Sequence, residues 1–380
     1  MAGAVTLIDE FSQVAPEKLP GSSHDADWIE LLTSRPANTL VRNLETRWAV
    51  LRIDDALLPV TINELEYDNS YVCSPYGACV IYPQTEVKKV DNVLVRGLVR
   101  CLTFSLAPLL RAAQINRIVC VNNWLLSTNL YPPFDCGHIS DLTQMLAERF
   151  PSHAITWRSL NEVTNPVLLQ RLVADGYLLV PSRQVYFFDG DDGSFLRKRN
   201  NVWDRKRLLN SGLQIVSHDE LQASDAPQIE QLYRWLYVDK YSPQNPQFTV
   251  ALIDEFRARH LLTMWGLRDS AGELVGVAGA FERNGVMTVP LVGYDTSLPQ
   301  NLGLYRSLMS IVLHEAVRRK VKLNLSSGAA HFKRLRGGEP CIEYTAVFCR
   351  HLSTTSHWAW RSLAALMQKV GVPILRKYQL

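Results

Sequence analysis

Long apolar runs, closely spaced cysteine pairs, metal-ligand spacings and an excess of one charge are all missing from this chain. The most apolar stretch, residues 93–115, is interrupted by Arg96, Arg100, Pro108 and Arg111. It falls short of the uncharged length that crosses a bilayer and reads as a buried helix pair, so no membrane span is expected. Residues 1–20 lack the basic start and apolar run of a secretion signal, and Asp9, Glu10 and Glu17 oppose one. The seven cysteines are odd in number, and none has the two-residue gap of a zinc knuckle or redox motif. A reduced, cytoplasmic compartment is the simplest expectation, with most thiols serving as small core residues. No Ser-His-Asp or Cys-His order can be specified, and neither a metal nor a tightly bound cofactor is expected. Lysine and arginine number 40 against 37 acidic residues, a net charge of +3. The molecule is no polycation, and any contact with nucleic acid has to use a local patch.

What is present is enough for two domains, because 380 residues exceed one ordinary core. Hydrophobic residues make up 47% and charged ones 20%, the balance of a soluble globular protein. The Asp189-Gly-Asp-Asp-Gly193 loop marks a boundary. It predicts an N-terminal lobe over 1–188, a C-terminal catalytic lobe over 189–355 and a helical tail over 356–380 that breaks at Gly371-Val-Pro373. Residues 1–38 read as a loosely packed arm. Strands are predicted at 48–53 and 57–62, a strand pair within 70–83 turned at Pro75-Tyr-Gly77, a helix over 93–114, and a strand pair turning around Ser182. The clearest β pattern is 261–267, 274–282 and 286–294, with Asn284-Gly285 a strong hairpin signal. Both halves share an order of antiparallel strands, long helix, buried strand and helix, consistent with an old duplication.

Residues 300–344 carry the densest functional signal. They read as a loop, a long helix, a short strand, a glycine break and a short helix with a basic face. Asn301, Leu302 and Gly303, after Gln300, offer backbone N–H groups to phosphate at a helix start. Ser326, Ser327 and Gly328 end a buried strand, where they can orient a substrate amine or a thioester carbonyl, or simply form a turn. Lys333, Arg334 and Arg336 form one basic turn, a cluster that neutralises donor phosphates if it faces the ligand and a solvated face otherwise.

Three passages resemble the GNAT superfamily of acyltransferases, and residues 200–349 resemble more closely its two-lobed FemAB-like members. They are the basic helix leading into Gly212-Leu-Gln-Ile-Val216, the helix and strand over 308–325, and the signature matched by Gly328, Phe332, Lys333, Gly337 and Pro340. The resemblance implies an α/β fold of tandem GNAT-like lobes, mixed central sheets flanked by helices. It also implies an acyltransferase whose co-substrate is acyl-CoA or another acyl-thioester, including one on a carrier protein, with a small-molecule amine as acceptor, in a biosynthetic setting. FemAB-like relatives imply an aminoacyl-tRNA donor as the alternative, and a non-catalytic binding module remains a third reading. The usual GNAT donor loop is Gln/Arg-x-x-Gly-x-Gly/Ala. Gln300 and Gly303 fit it, but Tyr305 stands where the last small residue belongs. The match at Phe332-Lys333 assigns Lys333 to donor binding, with Arg336 beside it.

An amine nucleophile has to lose a proton, so carboxylates near the mouth are candidate bases. Glu282 and Asp295 are favoured by their positions at strand ends, with Glu339 and Glu343 behind them. Tyr294 and Tyr344 can donate to the leaving group, or pack as core residues. The basic run Arg197, Lys198, Arg199, Arg205, Lys206 and Arg207 encloses Trp203. That combination suits nucleotide contact, although a surface helix with Trp203 tucked beneath it is the plainer expectation.

Overall fold

The computed structural model describes residues 5–8, 23–87 and 92–378. Its strands are β1 (Val5–Ile8), β2 (Arg47–Ile53), β3 (Ala56–Asn63), β4 (Ile118–Val121), β5 (Ala154–Leu160), β6 (Leu178–Asp189), β7 (Gln214–Val216), β8 (Thr263–Arg268), β9 (Leu274–Arg283), β10 (Val286–Tyr294), β11 (Lys322–Asn324) and β12 (Glu339–Phe348). The chain divides into two compact units. The first holds the described residues up to Arg183 with Gln244–Pro246 and Ile342–Tyr378; the second holds Gln184–Pro243 and Gln247–Cys341. The sequence had placed the boundaries at 188 and 355. Here the chain after Cys341 returns to the first unit, helical tail included.

In the first unit β1, β2, β3 and β4 form an antiparallel meander, β4 pairs parallel with β5, and β5 pairs antiparallel with β12. In the second unit β7, β8, β9 and β10 form the meander, β10 pairs parallel with β11, and β11 pairs antiparallel with β6. The strands of the two units therefore have the same order and sense. In each, the parallel pair is joined by a crossover helix, Ile139–Arg149 in the first unit and Leu304–Arg319 in the second, as a parallel connection requires. This is the GNAT-like arrangement, once in each unit, and it agrees with the shared order read from the sequence.

The hairpin turn holds as expected: Asn284 and Gly285 both have positive φ, the twist a tight hairpin needs. Elsewhere tertiary contacts overrule local pattern. Residues 77–81 and Tyr82–Glu86 are helical, not a strand pair. Ser74 Oγ takes the Gly77 N–H, and Asn116 Oδ1 takes the Tyr76 N–H, which starts a helix where aromatic and β-branched residues suggested strands. Residues 178–189 form one long strand with no turn, because Ser182 Oγ bonds the Glu343 carbonyl across the sheet. The tail does not break at Gly371; a π-helical stretch, Met367–Gly371, takes up the irregularity and helix continues through Val372–Tyr378. The expected arm is in part core: Trp28, Ile29, Leu31 and Leu32 are fully buried, and Trp28 packs edge-on against Trp124. Its Pro16–Pro20 portion lies outside the described residues.

Gly293 shows how the second unit closes around β10. A Cβ at this position would lie 2.5 Å from the Tyr233 amide nitrogen and 2.6 Å from the Leu232 carbonyl carbon. Only a glycine lets the helix Ala226–Tyr233 pack that close to the strand. Gly293→Ala is expected to destabilise the protein by roughly 1–3 kcal/mol, read as a lower midpoint in urea denaturation.

Candidate active site

The candidate site lies at the carboxyl ends of the parallel pair in the second unit. β10 and β11 pair only from Val286 with Lys322 to Thr288 with Asn324. Beyond that point β10 is bulged between Thr288 and Leu291, and Pro290 has no N–H to give to a ladder. The strands part there, and the loops that follow each of them border the opening.

After β10 the chain makes a turn at Asp295, whose Oδ1 accepts the Ser297 N–H and Oγ–H at 2.8 and 2.6 Å. A short 3-10 turn, Gln300–Leu302, leads to Gly303, which sits at φ 67° as the N-cap of the long helix Leu304–Arg319. No side chain caps that helix. Its first amides, those of Leu304, Tyr305 and Arg306, precede the first intrahelical bond, from Ser307 N–H to the Gly303 carbonyl. Arg207 from the basic helix Arg199–Leu209 donates to the Asn301 carbonyl, and its stem passes 2.8 Å from where a Gly303 Cβ would be. Gln300, Asn301 and Leu302 are exposed. The loop is thus open and partly positive, but the Leu302 and Gly303 amides that the sequence offered to phosphate are taken by the Pro299 and Gln300 carbonyls, which leaves the first helical amides as the donors there.

After β11 the chain turns through Ser326 (φ 59°), Gly328 (φ 76°) and Ala329 (φ 47°), a rare concentration of left-handed backbone. Lys333 explains it. Its ammonium is buried and donates to the carbonyls of Leu325, Ser326 and Ser327 at 2.7, 3.2 and 2.8 Å. In a planar trans peptide the N–H points opposite to the C=O. With the Ser326 and Ser327 carbonyls turned onto Lys333, the amides of Ser327 and Gly328 point away from it, on a loop whose Gly328 is exposed. Two successive N–H groups turned outward form an anion nest, the geometry that suits an oxyanion.

Arg336 is likewise buried and engaged. Its guanidinium meets Asp204 at 2.6 Å, donates to the Phe332 carbonyl at 3.0 Å and stacks 3.4 Å over the Phe332 ring. Burial draws its pKa down while Asp204 holds it up. Asn201 adds a bond to the Arg336 carbonyl. The signature residues of the short helix Ala330–Leu335 therefore act as architecture. Lys333 fixes the nest, and Arg336 fixes the helix to the basic one. Neither cation faces outward to meet phosphate as the sequence had suggested.

An aromatic wall borders the same opening. Tyr237 and Tyr241 come from a π-helical stretch, Arg234–Tyr241, a form that recurs at functional sites. Tyr294 ends β10, and Tyr305 lies in the first turn of the long helix, with ring centroids 6.3 Å from Tyr294 and 4.9 Å from Phe332. Burial and the neighbouring hydroxyls of Tyr237, Tyr241 and Tyr294 push the Tyr305 phenol well above its usual pKa, so it stays neutral. Lys240 Nζ approaches the Tyr294 hydroxyl at 3.3 Å. Sequence reasoning missed Tyr237, Tyr241 and Lys240; the repeat of tyrosine at 233, 237 and 241, one face of a helix, was the available signal.

The structure brings Tyr294, Asp295, residues 300–303 and residues 326–328 to one end of the β10/β11 pair. It does not bring Glu282 there. Glu282 pairs with Met287 at the hairpin end of β10, roughly 20 Å along the strand from Tyr294, and is bonded to Arg319. Tyr344 belongs to the first unit, where it pairs with Leu160. Glu343 is buried in a bidentate pair with Arg183, at 2.7 and 3.2 Å, which removes it as a base. His314 is held below its ordinary pKa by burial, and its Nδ1 meets the Ser310 carbonyl inside the long helix. Trp203 is exposed, not tucked away, with Arg199 4.0 Å over its ring.

The corresponding place in the first unit is filled by its own chain. The segment after β4 is almost entirely buried from Asn122 to Pro132. Asn123 bonds Thr61 and the Val72 carbonyl, Asn122 bonds the Leu130 carbonyl, and the Asn129 N–H bonds Ser159. A shallow depression of about 370 Å³ elsewhere in this unit includes Asp175, already held by Ser140 and Arg171. Among the described residues no group of three or more His, Cys, Asp or Glu is placed to hold a metal ion, and no helix is long and apolar enough to cross a membrane.

Residues 197–334, the segment that builds this opening, match a family model described as an acetyltransferase (GNAT) domain. The chain carries a GNAT domain and is an acyltransferase. Among solved structures, a conserved protein of unknown function from Bacteroides thetaiotaomicron is 12% identical, with a TM-score of 0.50, over 91% of this chain and all of that one. It shares the fold across both units. FemX is 9% identical with a TM-score of 0.46, over 62% of this chain and 80% of its own. The C-terminal domain of a putative lysylphosphatidylglycerol synthetase from Agrobacterium fabrum is 14% identical with a TM-score of 0.43, over 62% and 79%. No curated protein sequence matches the chain.

The Asp204–Arg336 pair makes the architectural reading of the signature testable. Asp204→Ala leaves a buried guanidinium without its counter-ion and is expected to cost about 3–5 kcal/mol in urea denaturation. A cost below about 1 kcal/mol, the range of an exposed pair, would mean that the basic helix and the short helix are not locked together by this contact.

Proposed function

We propose that the second unit transfers an acyl group from an acyl-thioester to an amine at the opening between β10 and β11. The observation that carries this reading is the pairing of two anion-binding features there, an uncapped helix start beside Arg207 and an outward pair of amides at Ser327 and Gly328. The first suits the donor's phosphates and the second the oxygen of the reacting carbonyl. The amine nitrogen attacks the thioester carbon, the carbonyl oxygen gains negative charge at the Ser327 and Gly328 amides, and the C–S bond breaks. Asp295, a partly exposed carboxylate at the mouth, accepts the proton that the amine gives up. Tyr294, with the Lys240 ammonium at its hydroxyl, protonates the departing thiolate. Glu282 and Tyr344 have no part in this scheme.

The available charge favours a compact donor. Lys333 and Arg336 are consumed internally, which leaves Arg207 and Arg306 near the helix start. That suits one pyrophosphate better than a polyanion. A second reading, an aminoacyl-tRNA donor, is favoured by exposed Trp203 with Arg199 stacked on it, on the helix that also carries Lys206 and Arg207. Tyr305, standing where a GNAT donor loop has a small residue, also fits this second reading.

Ligand that binds the native state raises its melting temperature, by about 2.7 kcal/mol of stabilisation at a hundredfold excess over Kd. Coenzyme A and acyl-CoAs are expected to shift the melt of the native protein, and Arg207→Glu to abolish the shift while leaving the unliganded melt within a degree or so, because Arg207 is exposed. No shift with any thioester, and a shift with tRNA that Trp203→Ala removes, would overturn the thioester reading in favour of the second.

A further inference from the structure

The helix Val93–Ala112 is bound to the first unit by one face only. Leu110 and Thr103 are buried, and Leu106 and Ala107 pack on the cluster around Tyr76, Val80 and Trp360. The opposite face carries Val93, Leu94, Leu98, Cys101, Phe104 and Leu109 in the open. Leu94 is 83% and Phe104 80% exposed. A soluble surface rarely leaves so much contiguous aliphatic and aromatic area uncovered without a use for it.

Charge says what covers it. Arg96, Arg100 and Arg111, spaced by four and eleven residues, follow one edge of the helix. Arg111 stacks on Tyr67 and Tyr76, 4.8 Å from each ring, whereas neither Arg96 nor Arg100 is paired with a carboxylate among the described residues. No acidic residue occurs anywhere from 92 to 134, or from 344 to the end. The tail helix Thr354–Leu366 begins against this element, with Ser356 Oγ donating to the Ala113 carbonyl at 3.0 Å. Two residues further on, Trp358 is exposed beside Arg361. An exposed apolar face with an arginine edge, few hydrogen-bonding groups and no acid is the composition of a helix that lies in the plane of an anionic bilayer. A protein partner would ordinarily meet a polar rim able to form about ten hydrogen bonds, which this face does not offer.

We propose that the helix Val93–Ala112 docks the protein on anionic lipid surfaces, with Leu94, Leu98 and Phe104 entering the headgroup boundary and Arg96 and Arg100 meeting lipid phosphates. The surface belongs to the first unit and is independent of the reaction proposed for the second.

The test is co-flotation of the full chain with vesicles of phosphatidylcholine containing phosphatidylglycerol, beside vesicles of phosphatidylcholine alone. Binding to the anionic vesicles is expected, weakened by high salt. Leu94→Asp with Phe104→Asp should lower the partition by about tenfold or more, and Arg96→Glu with Arg100→Glu should weaken it without abolishing the apolar contribution. All four side chains are on the surface, so melting temperatures should match the parent's, and thermal denaturation of each variant checks this. Absence of binding to anionic vesicles overturns the proposal. So does a dimer, seen by light scattering, that the Leu94→Asp, Phe104→Asp variant dissolves and anionic vesicles do not compete away, since the face would then cover a second copy of the chain.

Discussion

The opening at the ends of β10 and β11 depends on one buried ammonium. Lys333 takes three consecutive carbonyls, and so sets the direction of every peptide plane from Leu325 to Gly328. Without a cation there, three carbonyls converging on one point would repel one another, and Ser326 and Ala329 would have no reason to adopt left-handed backbone. With it, the strain is compensated and two amides are left turned away from the lysine. The surrounding contacts serve that lysine. Leu325 N–H is tied to the Tyr186 carbonyl, the Tyr186 ring lies 5.7 Å beneath the ammonium, and the Asp204–Arg336 pair holds the helix that presents it.

Set beside this opening, the first unit shows what the same topology becomes without it. Both units pair their fourth and fifth strands in parallel, and both follow the fourth strand with a crossover. In the first unit the segment after that strand is buried and bonded by asparagines to its own sheet. In the second it is exposed and ends at an uncapped helix. An asparagine side chain can satisfy both a donor and an acceptor inside a core, which is what a filled cleft needs. One repeated strand order thus supports a packed lobe and an open one.

The fold was legible in the sequence where periodicity and turn chemistry agreed. The meander of β8, β9 and β10, the Asn284-Gly285 turn and the helix Leu304–Arg319 were all readable, because neighbouring residues alone decide them. The elements misread were decided at a distance. Residues 77–86 coil because Asn116, some forty residues away, takes the Tyr76 amide, and residues 178–189 stay extended because of Glu343. The site was half legible for the same reason. Residues 300–303 and 326–328 announced themselves as glycine-bearing loops around a helix and a strand. Glu282 and Asp295 looked equivalent as strand-end carboxylates, since the sequence does not say which of them lies at the end of β10 where it parts from β11.

By itself, then, the sequence determined the class of fold, the glycine-bearing loop before the long helix, the strand-end glycines and the acid-free composition of residues 92–134 and 344–380. Those are properties of local pattern and of counting. Only the tertiary structure decided that Lys333 and Arg336 point inward, that Trp203 and Phe104 point outward, and that the chain beyond Cys341 returns to the first unit. A basic or aromatic side chain has the same identity in either orientation. Its role follows from whether carbonyls and carboxylates far away in the chain close around it or leave it to the solvent.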